Sequence, residues 1–203
     1  MDIKEEMTDS QIEKSIEKRY LQLSGFEWIF HFSLSLLFIF PSLYLLFETT
    51  VDLIKFQRHI YADQQEKLMI LLGFLIVGVL LYWIQKRRLI FKVVTIQSLN
   101  TKEIYSIIDS VGKKLEWSPL TQINEGNFFQ ALAEPSHWLW RLSWGEMITI
   151  IIDEDRVLIN SICNPDKRPS IISGGRNARH VNTLIKKLKM ADIEQVRPLN
   201  SVD

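Results

Sequence analysis

A chain of 203 residues has room for one ordinary domain and an accessory segment. Its 24 basic side chains balance its 24 acidic ones, so there is no cationic excess for a nucleic-acid partner. The single cysteine, Cys163, excludes an internal disulfide and is consistent with a reducing compartment.

Residues 8–23 read as an amphipathic helix. Thr8 and Gln11 have capping-box spacing, and Ile12, Ile16, Tyr20 and Leu23 share one face. Residues 1–25 are therefore expected to form a cytosolic segment lying along a membrane or against the rest of the chain. Two runs without Asp, Glu, Lys or Arg follow, Trp28–Phe47 and Leu68–Ile84. At about 1.5 Å of rise per residue, the first spans a hydrocarbon core roughly 30 Å thick. The second closes on Tyr82 and Trp83, where an aromatic belt belongs. A long polar stretch with six acids precedes the first run, which argues against a cleavable signal peptide. The expectation is a transmembrane hairpin over residues 26–85, with spans 28–47 and 68–84 and a loop over 48–67.

Orientation follows from charge. Lys86-Arg87-Arg88 and then Lys92 leave the second run with no acid among them, whereas the loop carries three basic and four acidic residues. The basic cluster stays in the cytoplasm, so both termini do too, in a multi-pass protein of the cell (inner) membrane. Lys14, Lys18 and Arg19 agree with this. Within the first span, His31 is expected to pair with Glu27 one turn earlier, and Pro41 to kink the helix. Gly73 and Gly78 lie five apart and so do not make the close-packing dimer motif.

Residues 86–203 read as a cytosolic α+β domain. Leu89–Ile96 is β-branched and predicts a strand. Asn100 with Glu103 caps a helix carrying Ile104, Ile107, Ile108, Val111 and Leu115 at helical spacing. Strands are expected at Thr121–Asn124 and Phe128–Ala133, split by Glu125-Gly126-Asn127. A hairpin of Met147–Ile152 and Arg156–Ile162 turns at Asp153-Glu154-Asp155. A last helix, Ala178–Met190, turns Val181, Leu184, Ile185 and Leu188 inward. The order β-α-β-β-β-β-α implies a small antiparallel sheet with helices packed on one face.

Chemistry-bearing residues are sparse. Asp153-Glu154-Asp155 reads as a solvated turn rather than a metal site. Trp138, Trp140, Leu142 and Trp144 alternate as on a strand face, with a membrane-dipping loop as the other reading. Cys163, Ser161 and His137 lack the arrangement that activates a nucleophile, and histidines 31, 59, 137 and 180 match no zinc pattern. No catalytic residue, metal or cofactor is expected. Between Cys163 and His180, Ser173, Gly174 and Gly175 precede the last helix, with Lys167, Arg168, Arg176 and Arg179 around its start. Free N–H groups and the helix dipole make that place a candidate anion site.

Val157-Leu158-Ile159-Asn160-Ser161, Gly175-Arg176-Asn177-Ala178 and Leu184 to Leu188 carry a resemblance. Residues of about 155–190 resemble a bacterial domain of unknown function in small membrane proteins, a strand ending in serine followed by Gly-x-Asn and a closing helix. That domain tends to have an Arg-Ser pair and an aspartate before the glycine, where this chain has Asn160-Ser161 and Ser173-Gly174. The resemblance implies a fold and no chemistry.

The leading expectation is a membrane-anchored, non-enzymatic binding or regulatory module. Its expected partners are the lipid bilayer and a cytosolic protein or small anionic ligand. Two alternatives are a ligand-sensing two-span effector that oligomerises in the membrane and a membrane-bound enzyme.

Overall fold

The computed structural model describes residues 7–56, 62–120, 127–134, 145–165 and 175–196. These form, in order, α1 (Asp9–Lys18), α2 (Gly25–Phe56), α3 (Ala62–Arg88), β1 (Lys92–Thr95), α4 (Thr101–Lys114), β2 (Trp117–Pro119), β3 (Phe128–Ala133), β4 (Glu146–Asp153), β5 (Arg156–Cys163) and α5 (Arg176–Val196). The strands make one antiparallel sheet in the order β1-β5-β4-β3-β2. The α+β class and the antiparallel sheet are those read from the sequence.

Local chemistry accounts for the element ends. Asn100 and Glu103 cap α4 reciprocally, with Glu103 N–H donating to Asn100 Oδ1 at 3.0 Å and Asn100 N–H to Glu103 Oε2 at 2.8 Å. Thr8 and Gln11 do the same for α1, which stops where Arg19 turns left-handed at φ 50°. The sequence reading missed β2. Trp117–Pro119 pairs with Ala131–Ala133 as an edge strand, where the missing N–H of Pro119 leaves no ladder bond broken. The expected strand at Thr121–Asn124 lies outside the described residues.

Sheet alternation sorts the side chains into two cores. Ile148, Ile150, Val157, Ile159, Phe129 and Ala131 face α4 and α5, where Ile104, Ile108, Leu184 and Leu188 close over them. Met147, Ile151, Leu158 and Ile162 face the other way and are covered as well. Over them lie Leu21, Phe32, Leu89 and Phe91, with Ile12, Ile16 and Tyr82 partly buried alongside. Helices were expected on one face only. The second face is roofed by α1 and the base of the α2–α3 hairpin. The signal was the run Met147–Ile152, apolar at every position but Thr149 and so without regular polar-out alternation, because a strand covered on both sides need not alternate.

The helices α2 and α3 run together as an antiparallel pair and are long and apolar enough to cross a membrane over Gly25–Asp52 and Gln65–Arg88. Gly78 lets them touch, since a Cβ there would meet Ile39 Cγ1 at 2.8 Å and Phe38 Cβ at 3.0 Å. Phe38 and Phe74 stack at 5.9 Å between ring centres. Ser35 and Ser42 are buried in this seam and donate to the carbonyls of Phe32 and Phe38, both at 2.7 Å. Away from the seam the large side chains point outward. In the most apolar stretch of each helix only 22% and 11% of residues are buried.

Candidate functional site

Two polar constructions stand out among the described residues, one on each face of the sheet's central strands. The first joins the hairpin to the domain. His31 and Gln85 clamp the base of the two helices: Gln85 Nε2 donates to the His31 carbonyl at 2.6 Å, and His31 Nε2 lies 3.2 Å from the Gln85 carbonyl. The expected partner, Glu27, is instead engaged in capping α2, accepting from Ser24 N–H at 2.9 Å. Below the clamp the extended segment after α1 pairs with the segment after α3. Leu21 N–H donates to the Leu89 carbonyl at 2.8 Å and Phe91 N–H to the Arg19 carbonyl at 3.0 Å, with Tyr20 opposite Ile90. From the sheet, buried Asn160 on β5 donates to the carbonyls of Arg88 at 2.9 Å and Ile90 at 3.1 Å. Hydrogen bonds from three directions therefore hold the exit from α3. A flexible tether would lack them.

Tyr20, in this joint, has its phenol pushed up to about 12 by burial and by the neighbouring Tyr82. On the far side, Asp192 of α5 accepts from Ser98 Oγ at 2.7 Å, Ser98 N–H at 2.8 Å and Gln97 N–H at 3.0 Å. Desolvation works to raise this carboxyl, but those bonds hold it below its ordinary value.

The second construction lies where α5 begins. Glu146 opens β4, faces α5 and is fully buried, opposite Cys163 in the ladder. A buried carboxylate needs compensation. Arg176 supplies it, with its guanidinium 3.1 Å from Glu146 Oε2 and donating to the Glu134 carbonyl at 2.6 Å. One turn on, His180 places Nε2 at 3.8 Å from the same carboxylate oxygen. Its Nδ1 accepts from Trp117 Nε1–H at 2.9 Å. An indole nitrogen can only donate, so that bond requires a bare Nδ1 and places the ring proton on Nε2, facing Glu146. Nearby, Ser161 Oγ donates to Asn177 Oδ1 at 3.1 Å, and Asn177 Nδ2 lies 3.9 Å from Cys163 Sγ.

This arrangement locks the first turns of α5 onto the sheet. Ser161 gives its proton to an amide oxygen and buried Cys163 faces an amide N–H, so neither of these bonds leads to a base. Among the described residues no three His, Cys, Asp or Glu side chains converge to hold a metal.

Of the expected anion-site residues, Gly175, Arg176 and Arg179 are described, while Lys167, Arg168, Ser173 and Gly174 lie outside. Gly175 takes φ 81°, where glycine is favoured, and Arg179 is exposed. Arg176 is turned inward to Glu146. The Asp153–Asp155 turn is ion-paired with Arg156, which reaches both Asp153 and Asp155. Lys86 and Arg87 are exposed at the end of α3, with the Arg87 guanidinium 4.6 Å above the Trp83 ring. His59, His137, Trp138, Trp140, Leu142 and Trp144 lie outside the described residues. Glu146, Trp117 and Gln85 were not singled out from sequence, and Asn160 entered only through the resemblance. For Glu146, Gln85 and Asn160 the signal is a polar residue set in or beside an apolar run, whereas Trp117, among Lys113-Lys114-Leu115-Glu116 and Ser118, gives none.

Comparison with protein-family models, with curated proteins and with solved structures finds no match to this chain.

Proposed function

We propose that this chain is a two-span protein of the cell membrane whose cytoplasmic α+β domain is a non-enzymatic binding or regulatory module. The reading rests chiefly on the outward apolar surface of the hairpin. Exposed apolar patches on soluble monomers rarely exceed a few hundred Å². Here Phe26, Leu37, Phe40, Phe47, Met69, Ile76, Val79 and Leu80 all face outward, along two helices of spanning length. A hydrocarbon solvent removes that penalty, and helices satisfy their own backbone groups within it. The cation run at Lys86–Arg88 orients the hairpin with both termini inside.

The regulatory part of the reading follows from the joint. A domain held to its anchor by the Tyr20–Ile90 bridge and by Asn160 shares any movement of the two spans. Its partner is a cytosolic protein or a small anion near the start of α5, where Arg179 is exposed while Arg176 holds Glu146. The same joint favours a second reading, in which ligand binding drives the hairpins to assemble. Ligand-dependent cross-linked oligomers in native membranes would separate the two.

The two-span reading is tested by thiol labelling in intact cells. Cys163 is buried, so an Asp52→Cys variant offers one accessible thiol at the outer end of α2. Labelling by an impermeant reagent from outside is expected. Labelling from the cytoplasmic side alone sinks the topology, and recovery of the protein in the soluble fraction sinks membrane insertion.

A further inference from the structure

Two groups of cations far apart in the chain meet at one end of the hairpin. Lys18 and Arg19 close α1, and Lys86, Arg87 and Lys92 flank the end of α3. The backbone brings them together, because Phe91 N–H bonds the Arg19 carbonyl at 3.0 Å and Tyr20 sits opposite Ile90. Lys18–Arg19 therefore lies alongside Phe91–Lys92. All five side chains are exposed, and no ion pair between described residues involves them. The acids in the vicinity are Glu13 and Glu17 on α1 and Glu27, whose carboxylate accepts from Ser24 N–H. Like charges placed opposite one another on a ladder repel, so this joint forms against an electrostatic cost that a counter-charge would relieve.

The position of the collar indicates the counter-charge. Trp28 near the start of α2 and Trp83 near the end of α3 are exposed at the same end of the hairpin. Indoles sit at the boundary between hydrocarbon and headgroups, and the collar lies just beyond them. We infer that Lys18, Arg19, Lys86, Arg87 and Lys92 form a binding site for the phosphate headgroups of acidic phospholipids, and that these headgroups complete the joint between hairpin and domain. The inference rests on the two-span reading. Each cation near an anionic leaflet adds roughly a fivefold attraction, and the effect fades within a Debye length.

The test uses the full chain, reconstituted into vesicles of phosphatidylcholine alone or with phosphatidylglycerol. Flotation reports insertion, and near-UV dichroism on heating reports the domain's melting. Melting several degrees higher in the acidic vesicles is expected, with the difference shrinking as salt is raised. Lys18→Gln with Lys92→Gln should clearly shrink the difference while leaving the orienting Lys86–Arg88 run intact. Lys18→Arg with Lys92→Arg should retain it, which separates charge from damage to the fold. Equal melting in both vesicle types, with the protein floating in both, overturns the site. Equal stabilisation by soluble glycerophosphate in neutral vesicles also overturns it, in favour of a soluble anion. Flotation in neither composition defeats the two-span reading instead.

Discussion

The α2–α3 pair and the α4–α5 pair place their apolar side chains in opposite ways. The α4–α5 pair turns Ile104, Ile108, Leu184 and Leu188 inward onto a sheet. The other pair buries only a narrow seam at Gly78, Ser35 and Ser42 and turns its large side chains outward. Yet each pair is fastened to the sheet by polar groups: α5 by Glu146, Arg176 and His180, and the hairpin by Asn160 and the Tyr20–Ile90 bridge. Apolar area decides which solvent each pair meets, whereas polar pairs decide where it docks.

The sharpest way to break the comparison is to remove a fastener from the buried side. Arg176→Ala takes the guanidinium away from a fully buried carboxylate and should destabilise the domain by about 3–5 kcal/mol in denaturant titration. Adding Glu146→Gln should restore much of the loss. If Arg176→Ala alone melts like the parent, Arg176 does not compensate Glu146. Next comes a matched pair of truncations. Leu184→Ala, at a fully buried site, should cost about 2–5 kcal/mol, while Leu80→Ala on the outer face of α3 should stay within about 0.5 kcal/mol in detergent. Equal costs would mean that Leu80 packs against something else.

Within the hairpin, Gly78→Ala must push Ile39 and Phe38 aside, an overpacking worth about 1–3 kcal/mol, whereas a Cβ at Gly73 meets nothing within 4 Å. A bifunctional thiol cross-link between engineered cysteines at 38 and 74, whose native rings stack across the seam, should weaken in the first variant and persist with Gly73→Ala. The smallest effect is a titration. Tyr20 ionises at about 12 in the fold against an ordinary 10.0, so its contribution is complete below pH 10 and disappears as pH rises towards 12. Tyr20→Phe should flatten the stability profile over that window and leave neutral pH unchanged; an identical alkaline profile would refute the assignment.

Much of this architecture was legible from sequence because it depends on local periodicity. Capping boxes at Thr8 and Asn100, the apolar runs of α2 and α3 and the β4–β5 hairpin each declare themselves within a short window. The joint could not be read that way, since Tyr20 meets Ile90 across the whole hairpin and Asn160 reaches back to Arg88. Glu27 misled for the same reason: it stands one turn from His31, but Ser24 offers a cap and Gln85 offers His31 a partner across the seam. The cluster at α5 was half visible. Arg176 was noticed as a cation near a helix start, but its anion, Glu146, is internal and comes from a different strand.

The roof that α1 makes over the second sheet face has a consequence for biosynthesis. The helix leaves the ribosome well before the strands it covers, since β4 and β5 emerge roughly 130 residues later. At about 5–20 residues per second, Ile12 and Ile16 wait on the order of ten seconds without their final neighbours. Tyr20 can close against Ile90 once both hairpin helices have been made, but the roof settles only after all five strands have followed. A segment made before the strands is thus among the last to be buried. A fragment starting at residue 86 would carry a sheet stripped on one side, so an experiment on the domain has to begin near residue 7.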